Sequence, residues 1–227
     1  MIIGNGLIAN AFKPYFEKEP NFIIYASGVS NSQGHCKKAF LREREMLINA
    51  LSAEKFLIYF STCSIDDPEL QDSLYVNHKL AMEELVCQSR DYMIFRLPQV
   101  VGKTPNRDTL TNYLFDKIVS GGRFQVWQNA MRNLIDIEDV ALIVAELIRN
   151  AKICRTVINV ACPYCISVVD LVAIFESVVG KKANYEVVDA GGTYAIDTSI
   201  VAEAALELGV DFYDSYISRL IRKYYGK

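Results

Sequence analysis

Short unbroken apolar runs alternate with helical patterns through the first hundred residues. Phe22-Ile-Ile-Tyr-Ala26, Phe56-Leu-Ile-Tyr-Phe60 and Tyr92-Met-Ile-Phe-Arg96 each read as a strand buried on both faces. Strands of that kind belong to parallel sheets covered by helices on either side. Between them the spacing predicts helices over 7–16, over about 37–52, and around Tyr75 and Lys79, the first with Ile8, Ala11, Phe12 and Phe16 turned inward. Ile2-Ile3 forms a further strand running into a glycine turn, and the turn-rich ASGVSNSQG follows 22–26. The second half is less regular. Helices are expected over 109–119, stopped by Gly121-Gly122, over 136–149, and over 167–179, closed by Gly180. Strands are expected at 156–160 and 185–188, and two helices near 199–208 and 214–224 finish the pattern. The expected fold class is α/β: a Rossmann-like, doubly wound parallel sheet in one domain over 1–227. Residues from about 103–135 and 160–227 are expected to contribute a small C-terminal substrate lobe.

Composition narrows the partners. Hydrophobic residues make up 51% and charged residues 22% of the 227, as in globular proteins with a core. A net charge of −3 argues against a broad phosphate-gripping surface, so nucleic acid is not an expected partner. The basic group Lys37, Lys38, Arg42, Arg44 is offset by Glu43 and Glu45 and reads as a solvated helix face. MIIGNGLIANAF lacks a basic n-region and does not read as a signal peptide, and no apolar run reaches membrane-spanning length. Six cysteines (36, 63, 87, 154, 162, 165) without a secretory signal point to a reducing cytoplasm. Cys162-Pro-Tyr-Cys165 is a lone C-x-x-C with nothing to complete a four-ligand zinc site, so no metal is expected.

Two constellations carry candidate chemistry. Gly4-Asn5-Gly6-Leu7-Ile8-Ala9 fits G-x-G-x-x-A at the first strand–helix junction. Gly4 permits the tight turn, Gly6 lets backbone approach a pyrophosphate, and Ala9 allows close helix packing. The phosphates would sit on the helix N-terminus. Tyr75 and Lys79 are four apart and share a helical face. An ammonium beside a phenol favours the phenolate and tunes it for acid/base work. Thr62 ends the preceding strand, at the carboxyl edge where such sheets bind ligands, and its hydroxyl suits a substrate oxygen. Thr62 also reads as a strand terminator and Arg132 as a surface arginine. Asn77, His78 and the single tryptophan, Trp127, read as solvent or packing residues.

The ordered set GNGLIA, FSTCS, YVNHK, RLPQVVG and RNLIDIEDVA resembles the extended short-chain dehydrogenase/reductases, and within them the NAD(P)-dependent epimerase/dehydratase group acting on nucleotide sugars. The resemblance implies Thr62, Tyr75 and Lys79 as the catalytic residues, with Lys79 also holding the nicotinamide ribose. It implies a cofactor site from Gly4, Asn5, Gly6, Leu7, Ile8, Ala26, Ser27, Gly28, Tyr75, Lys79, Leu97, Pro98, Gln99 and Val100. It implies substrate contacts from Thr62, Cys63, Gln99 and Arg132, the last on the diphosphate, where a bidentate guanidinium suits. Asp139-Val140-Ala141 would be structural. A homodimer through the Tyr75 and Thr109 segments is the family arrangement.

The chain is short for that family. One strand, 22–26, fits where three are usual, so the second and third strands and their helices are expected to be missing, shortening the adenine side. No Asp or Glu stands at Ala26 or Ser27 to hold a ribose 2′-hydroxyl. Ser27, Ser30, Asn31 or Lys37 would instead take a 2′-phosphate, which favours NADP over NAD. Asp66-Asp67 stands where Tyr-Gly is usual, and Gln99 where asparagine is common. The function implied is an oxidoreductase or epimerase on a nucleotide-linked sugar, by 4-keto reduction or epimerisation. Dehydration fits least, because Cys63 and Ser64 are not carboxylates. The rival expectation is a non-catalytic or regulatory binding module that has lost firm cofactor binding. A reductase of small non-nucleotide carbonyl compounds is a third, which Arg132 tells against.

Overall fold

A computed structural model of the chain describes residues 1–29, 37–150, 154–213 and 215–226; Ser30, Asn31 and Cys36 lie outside them. In chain order the elements are β1 (Ile2–Ile3), α1 (Leu7–Phe16), β2 (Phe22–Tyr25), α2 (Lys37–Leu51), β3 (Phe56–Thr62), α3 (Leu74–Val86), β4 (Tyr92–Leu97) and β5 (Gln99–Val101). They continue with α4 (Leu110–Ser120), β6 (Phe124–Trp127), β7 (Met131–Arg132), β8 (Leu134–Asp136), α5 (Ile137–Arg149) and β9 (Thr156–Asn159). β10 (Ile166–Ser167), α6 (Val168–Val179), β11 (Tyr185–Val188), α7 (Ser199–Leu208) and α8 (Tyr216–Tyr225) complete the order.

The central sheet is parallel throughout, in the order β1-β2-β3-β4-β9. Alternate residues of each strand go to opposite faces. Ile24, Ile58, Phe60, Met93 and Phe95 meet Phe12 and Phe16 of α1 and Val140 and Val144 of α5. Ile23, Tyr25, Leu57, Tyr59 and Ile94 meet Leu47 of α2 and Met82 and Val86 of α3. The apolar runs were unbroken because both faces are covered. Among the described residues β1 pairs only with β2, so it is the edge strand. A full doubly wound sheet continues beyond its first strand, and this one stops there, as the missing strands required.

Beside the sheet lie three small ladders: β5 with β8, β6 with β11, and β7 with β10. The sequence pattern did not show β5, β6, β7, β8 or β10, all two to four residues long. Helix starts fell one residue early for a physical reason. Thr109, Asp136 and Ser167 are N-caps whose side chains accept from Asn112, Glu138 and Asp170 amides. Asp139 is structural, as expected. Its carboxylate accepts from the Tyr216 hydroxyl at 2.6 Å, while Lys223 and Tyr224 reach Asp136 at 2.8 and 2.7 Å, tying α8 to the start of α5.

Two expectations fail here. Trp127 is 44% exposed rather than packed, on the outward side of the alternating strand β6. Glu43 is not on a solvated face: it is fully buried, because it lies in the inward row with Leu47 and Ala50. At Gly4 the backbone has φ +124°, and a Cβ there would fall 2.4 Å from the Ala26 carbonyl oxygen. Gly4→Ala is therefore expected to cost about 1–3 kcal/mol in strain alone, measured as a loss in urea-unfolding stability.

Candidate active site

The carboxyl edge of β3 is the centre of the site. Ser61 and Thr62 end the strand in register with Arg96 and Leu97 of β4. Thr62 then caps a 3-10 turn over Cys63–Asp66, its hydroxyl oxygen accepting from the Ser64 amide at 3.1 Å. That leaves the Thr62 hydroxyl hydrogen free to donate. Cys63 is fully buried with its thiol on the Arg96 carbonyl at 3.3 Å, and burial pushes it up to about 12, so it is a neutral wall rather than a nucleophile. Arg96 holds α3 against β4 through a two-pronged pair with Glu83, at 3.0 and 2.8 Å. Ser61 carries a buried hydroxyl without a hydrogen-bond partner among the described residues.

Ser73 caps α3 by accepting from the Val76 amide, which sets Tyr75 in the first turn and Lys79 one turn on. Both are buried, at 7% and 2% exposure. The Tyr75 hydroxyl makes no hydrogen bond to the described residues, whereas Lys79 is saturated. Its ammonium donates to Glu43 Oε1 at 3.0 Å, to the Tyr59 hydroxyl at 3.0 Å and to the Phe60 carbonyl at 3.4 Å. Three donors meet three protein acceptors.

Glu43 is the hub of that network. Its carboxylate also takes the Tyr59 hydroxyl at 2.7 Å, His78 Nε2 at 3.0 Å and the Val29 amide at 2.6 Å. Burial alone would raise its pKa; the His78 bond, the Lys79 charge, the Val29 amide and Tyr59 overcome that and hold it at about 2. His78, expected in solvent or in packing, packs: it stacks on Phe40 with ring centroids 4.3 Å apart as well as bonding Glu43. Asn77 is exposed. The loop after β2 closes the network from above. A Cβ on Gly28 would lie 2.6 Å from Lys79 Nζ, so only glycine lets the chain pass there undisturbed. Ser27 points to Met46, its hydroxyl 3.8 Å from the sulfur.

The glycine turn and the lysine answer differently to a dinucleotide. Helix α1 starts at Gly6 with no side-chain cap and no acidic residue in its first turn. A Cβ on Gly6 would meet nothing within 4 Å, so the space above the free amides is open to a phosphate. Gly102 brings the end of β5 against the same turn, its would-be Cβ 2.8 Å from Leu7. Leu97 is buried, while Pro98, Gln99 and Val100 are half-buried along β4 and β5. With β1 at the edge, the sheet offers no floor for an adenine. Lys79, the residue expected to hold a ribose, fares worst: while Glu43, Tyr59 and Phe60 hold it, it has no donor left for a diol.

Arg132, expected to meet a substrate diphosphate, is half-buried in β7, donates to its neighbour's carbonyl at 2.8 Å and pairs with no carboxylate among the described residues. Asn133 clamps the Cys162 main chain from both ends of its amide, at 2.6 and 3.1 Å. After β11 the chain follows Asn129 and Met131 by backbone hydrogen bonds from their amides to Ala190 and Gly192, then reaches Asn159 at the end of β9. Tyr194 sits in this strap with no hydrogen-bond partner among the described residues. Burial raises its pKa first of all, and the Asp67 carboxylate adds to that while the Arg132 guanidinium opposes it. Tyr194 is thus close enough to Cys63, Asp67 and Arg132 to feel them. No sequence motif marked Tyr194; the Gly191-Gly192 pair before it was the only sign.

No family model matches the chain, and no curated protein does. Solved structures do. UDP-glucuronic acid 4-epimerase from Bacillus cereus, with UDP-glucuronic acid and NAD, superposes with a TM-score of 0.70 at 19% identity, over 89% of this chain and 73% of that one. RMD from Pseudomonas aeruginosa, with NADPH, gives 0.68 at 16%, over 96% and 84%. UDP-glucose 4-epimerase from Thermus thermophilus, with NAD, gives 0.68 at 13%, over 95% and 81%. The chain has the Rossmann-like fold of these enzymes, in an abbreviated form. Within that fold, the edge position of β1 is where the length has gone. No helix among the described residues is long and apolar enough to cross a membrane.

Proposed function

We propose that the chain acts on a nucleotide-linked sugar, by 4-keto reduction or epimerisation, with Tyr75 as the acid/base. The observation that carries this is the unpartnered Tyr75 hydroxyl on a helix beside the ligand-binding edge of the sheet. A phenol with no partner among the described residues is open to a substrate oxygen, as a general acid/base must be. Thr62, with a free hydroxyl hydrogen, donates to the same sugar oxygen, and the neutral Cys63 closes that side. Arg132 takes the diphosphate, and Gln99 and Tyr194 complete the mouth. Residues from about 103–135 and 160–227 then form the substrate lobe. The hydride that such chemistry needs is what a nicotinamide cofactor supplies, and NADP is preferred here because no carboxylate stands at residues 26–29 for an NAD ribose. Solved neighbours of the fold bound to UDP-glucuronic acid and NAD, and to NADPH, support a nucleotide-sugar substrate and a nicotinamide cofactor; the choice of NADP rests on the missing carboxylate alone.

The second reading is a binding module without turnover, and one observation favours it: Lys79 is fully engaged by protein acceptors. Calorimetric titration with UDP-hexoses tests the shared part of both. Wild-type protein is expected to bind, and Arg132→Ala to weaken binding roughly tenfold or more through loss of a charge-assisted contact. Absence of binding to the wild type sinks the nucleotide-sugar reading.

A further inference from the structure

The buried Glu43–Lys79 pair lies where the fold's cofactor ribose should be held, and it disagrees with that use. Glu43 does not depend on Lys79 to stay in place. The Val29 amide, the Tyr59 hydroxyl and His78 hold its carboxylate from the loop, from β3 and from α3. Lys79 is the group with something to exchange. To grip a ribose it must give up a carboxylate for neutral hydroxyls, and so lose the attraction of an opposite charge that burial leaves poorly screened. The exchange is therefore unfavourable from the start. Core packing does not demand this carboxylate either, since buried ion pairs are often no more stabilising than apolar residues of similar volume. Gly28 completes the cover: a Cβ there would lie 2.6 Å from the ammonium and 3.0 Å from Glu43 Oε1.

We propose that Glu43 competes with the cofactor: its carboxylate occupies Lys79 in place of a ribose diol, and a nicotinamide dinucleotide gains Lys79 only by displacing it. The inference rests on reading Lys79 as the ribose partner in the function proposed above. It makes dinucleotide affinity a property of the fraction of molecules in which Lys79 is free. Weak, exchangeable cofactor binding is the consequence.

The test is a fluorescence titration with NADH and with NADPH of wild type, Glu43→Gln and Glu43→Asp. Glutamine removes the charge at nearly constant size; aspartate keeps the charge but withdraws it from Lys79. Both variants are expected to lower Kd for at least one dinucleotide roughly tenfold or more, the difference of one charge-assisted hydrogen bond. A purely structural role for Glu43 predicts the opposite sign, weaker binding or a lost fold. If circular dichroism shows that Glu43→Gln does not fold, Glu43→Asp carries the comparison. Unchanged affinity overturns the proposal. So does failure of all three proteins to bind, which would place the obstacle at the missing adenine side instead. UDP-hexose binding is measured without cofactor, so its failure would remove the nucleotide-sugar reading while a gain in NADH or NADPH affinity left the Glu43 competition standing.

Discussion

Tyr75→Phe is expected to remove turnover of nucleotide-linked keto sugars while leaving the fold and sugar-nucleotide affinity in place. The argument runs from the hydroxyl's surroundings. It bonds to none of the described residues, so deleting it leaves no buried group without a partner and costs little stability. What it loses is the proton delivered to the sugar oxygen in the transition state. A positioned acid or base contributes roughly a hundred- to ten-thousand-fold, and the decrease should appear in kcat with KM nearly unchanged. Thr62 would remain as a hydrogen-bond donor but has no means of taking up the proton at neutral pH. Turnover that survived the phenylalanine would remove Tyr75 from the mechanism. An unchanged melting temperature in the variant separates that outcome from damage to the fold.

The sheet was legible because its strands are buried on both faces, which writes an unbroken apolar run into each. The same physics made the trimmed edge legible: one strand stood where three were needed, and β1 has a single neighbour among the described residues. Tyr75 and Lys79 were readable from helical spacing, which places them on one face regardless of tertiary context. Glu43 was not. Among Arg42, Arg44 and Glu45 its charge pointed to solvent, and only the row it shares with Leu47 and Ala50 pointed inward. Side-chain polarity and helix phase disagreed, and phase won because Lys79, His78 and Tyr59 supplied partners from elements distant in sequence. Tyr194 lay beyond reach for another reason. Its strap has no period of its own and is placed by backbone bonds to residues 129–131 and by Asn159.

Lys79→Met is expected to destabilise the protein by about 3–5 kcal/mol, the usual cost of leaving one member of a buried ion pair alone. Methionine fills much of the volume, so the loss is electrostatic rather than a cavity effect. Its pH dependence identifies the cause. In the wild type Glu43 is held at about 2, below its ordinary 4.5. A depressed carboxylate contributes stability that is present above its unfolded value and is lost as pH falls from about 4.5 toward 2. Without the ammonium, burial is opposed only by His78, Val29 and Tyr59, and the carboxylate takes a proton more readily. The variant is then penalised most at neutral pH, where Glu43 is charged. The gap between the two proteins should close as acid protonates it in both. Urea unfolding at neutral pH and again below the ordinary carboxylate value measures that gap directly. A constant difference across the range would mean that Lys79 stabilises by packing alone. The charge competition that sets Glu43 against a ribose would then have no electrostatic basis.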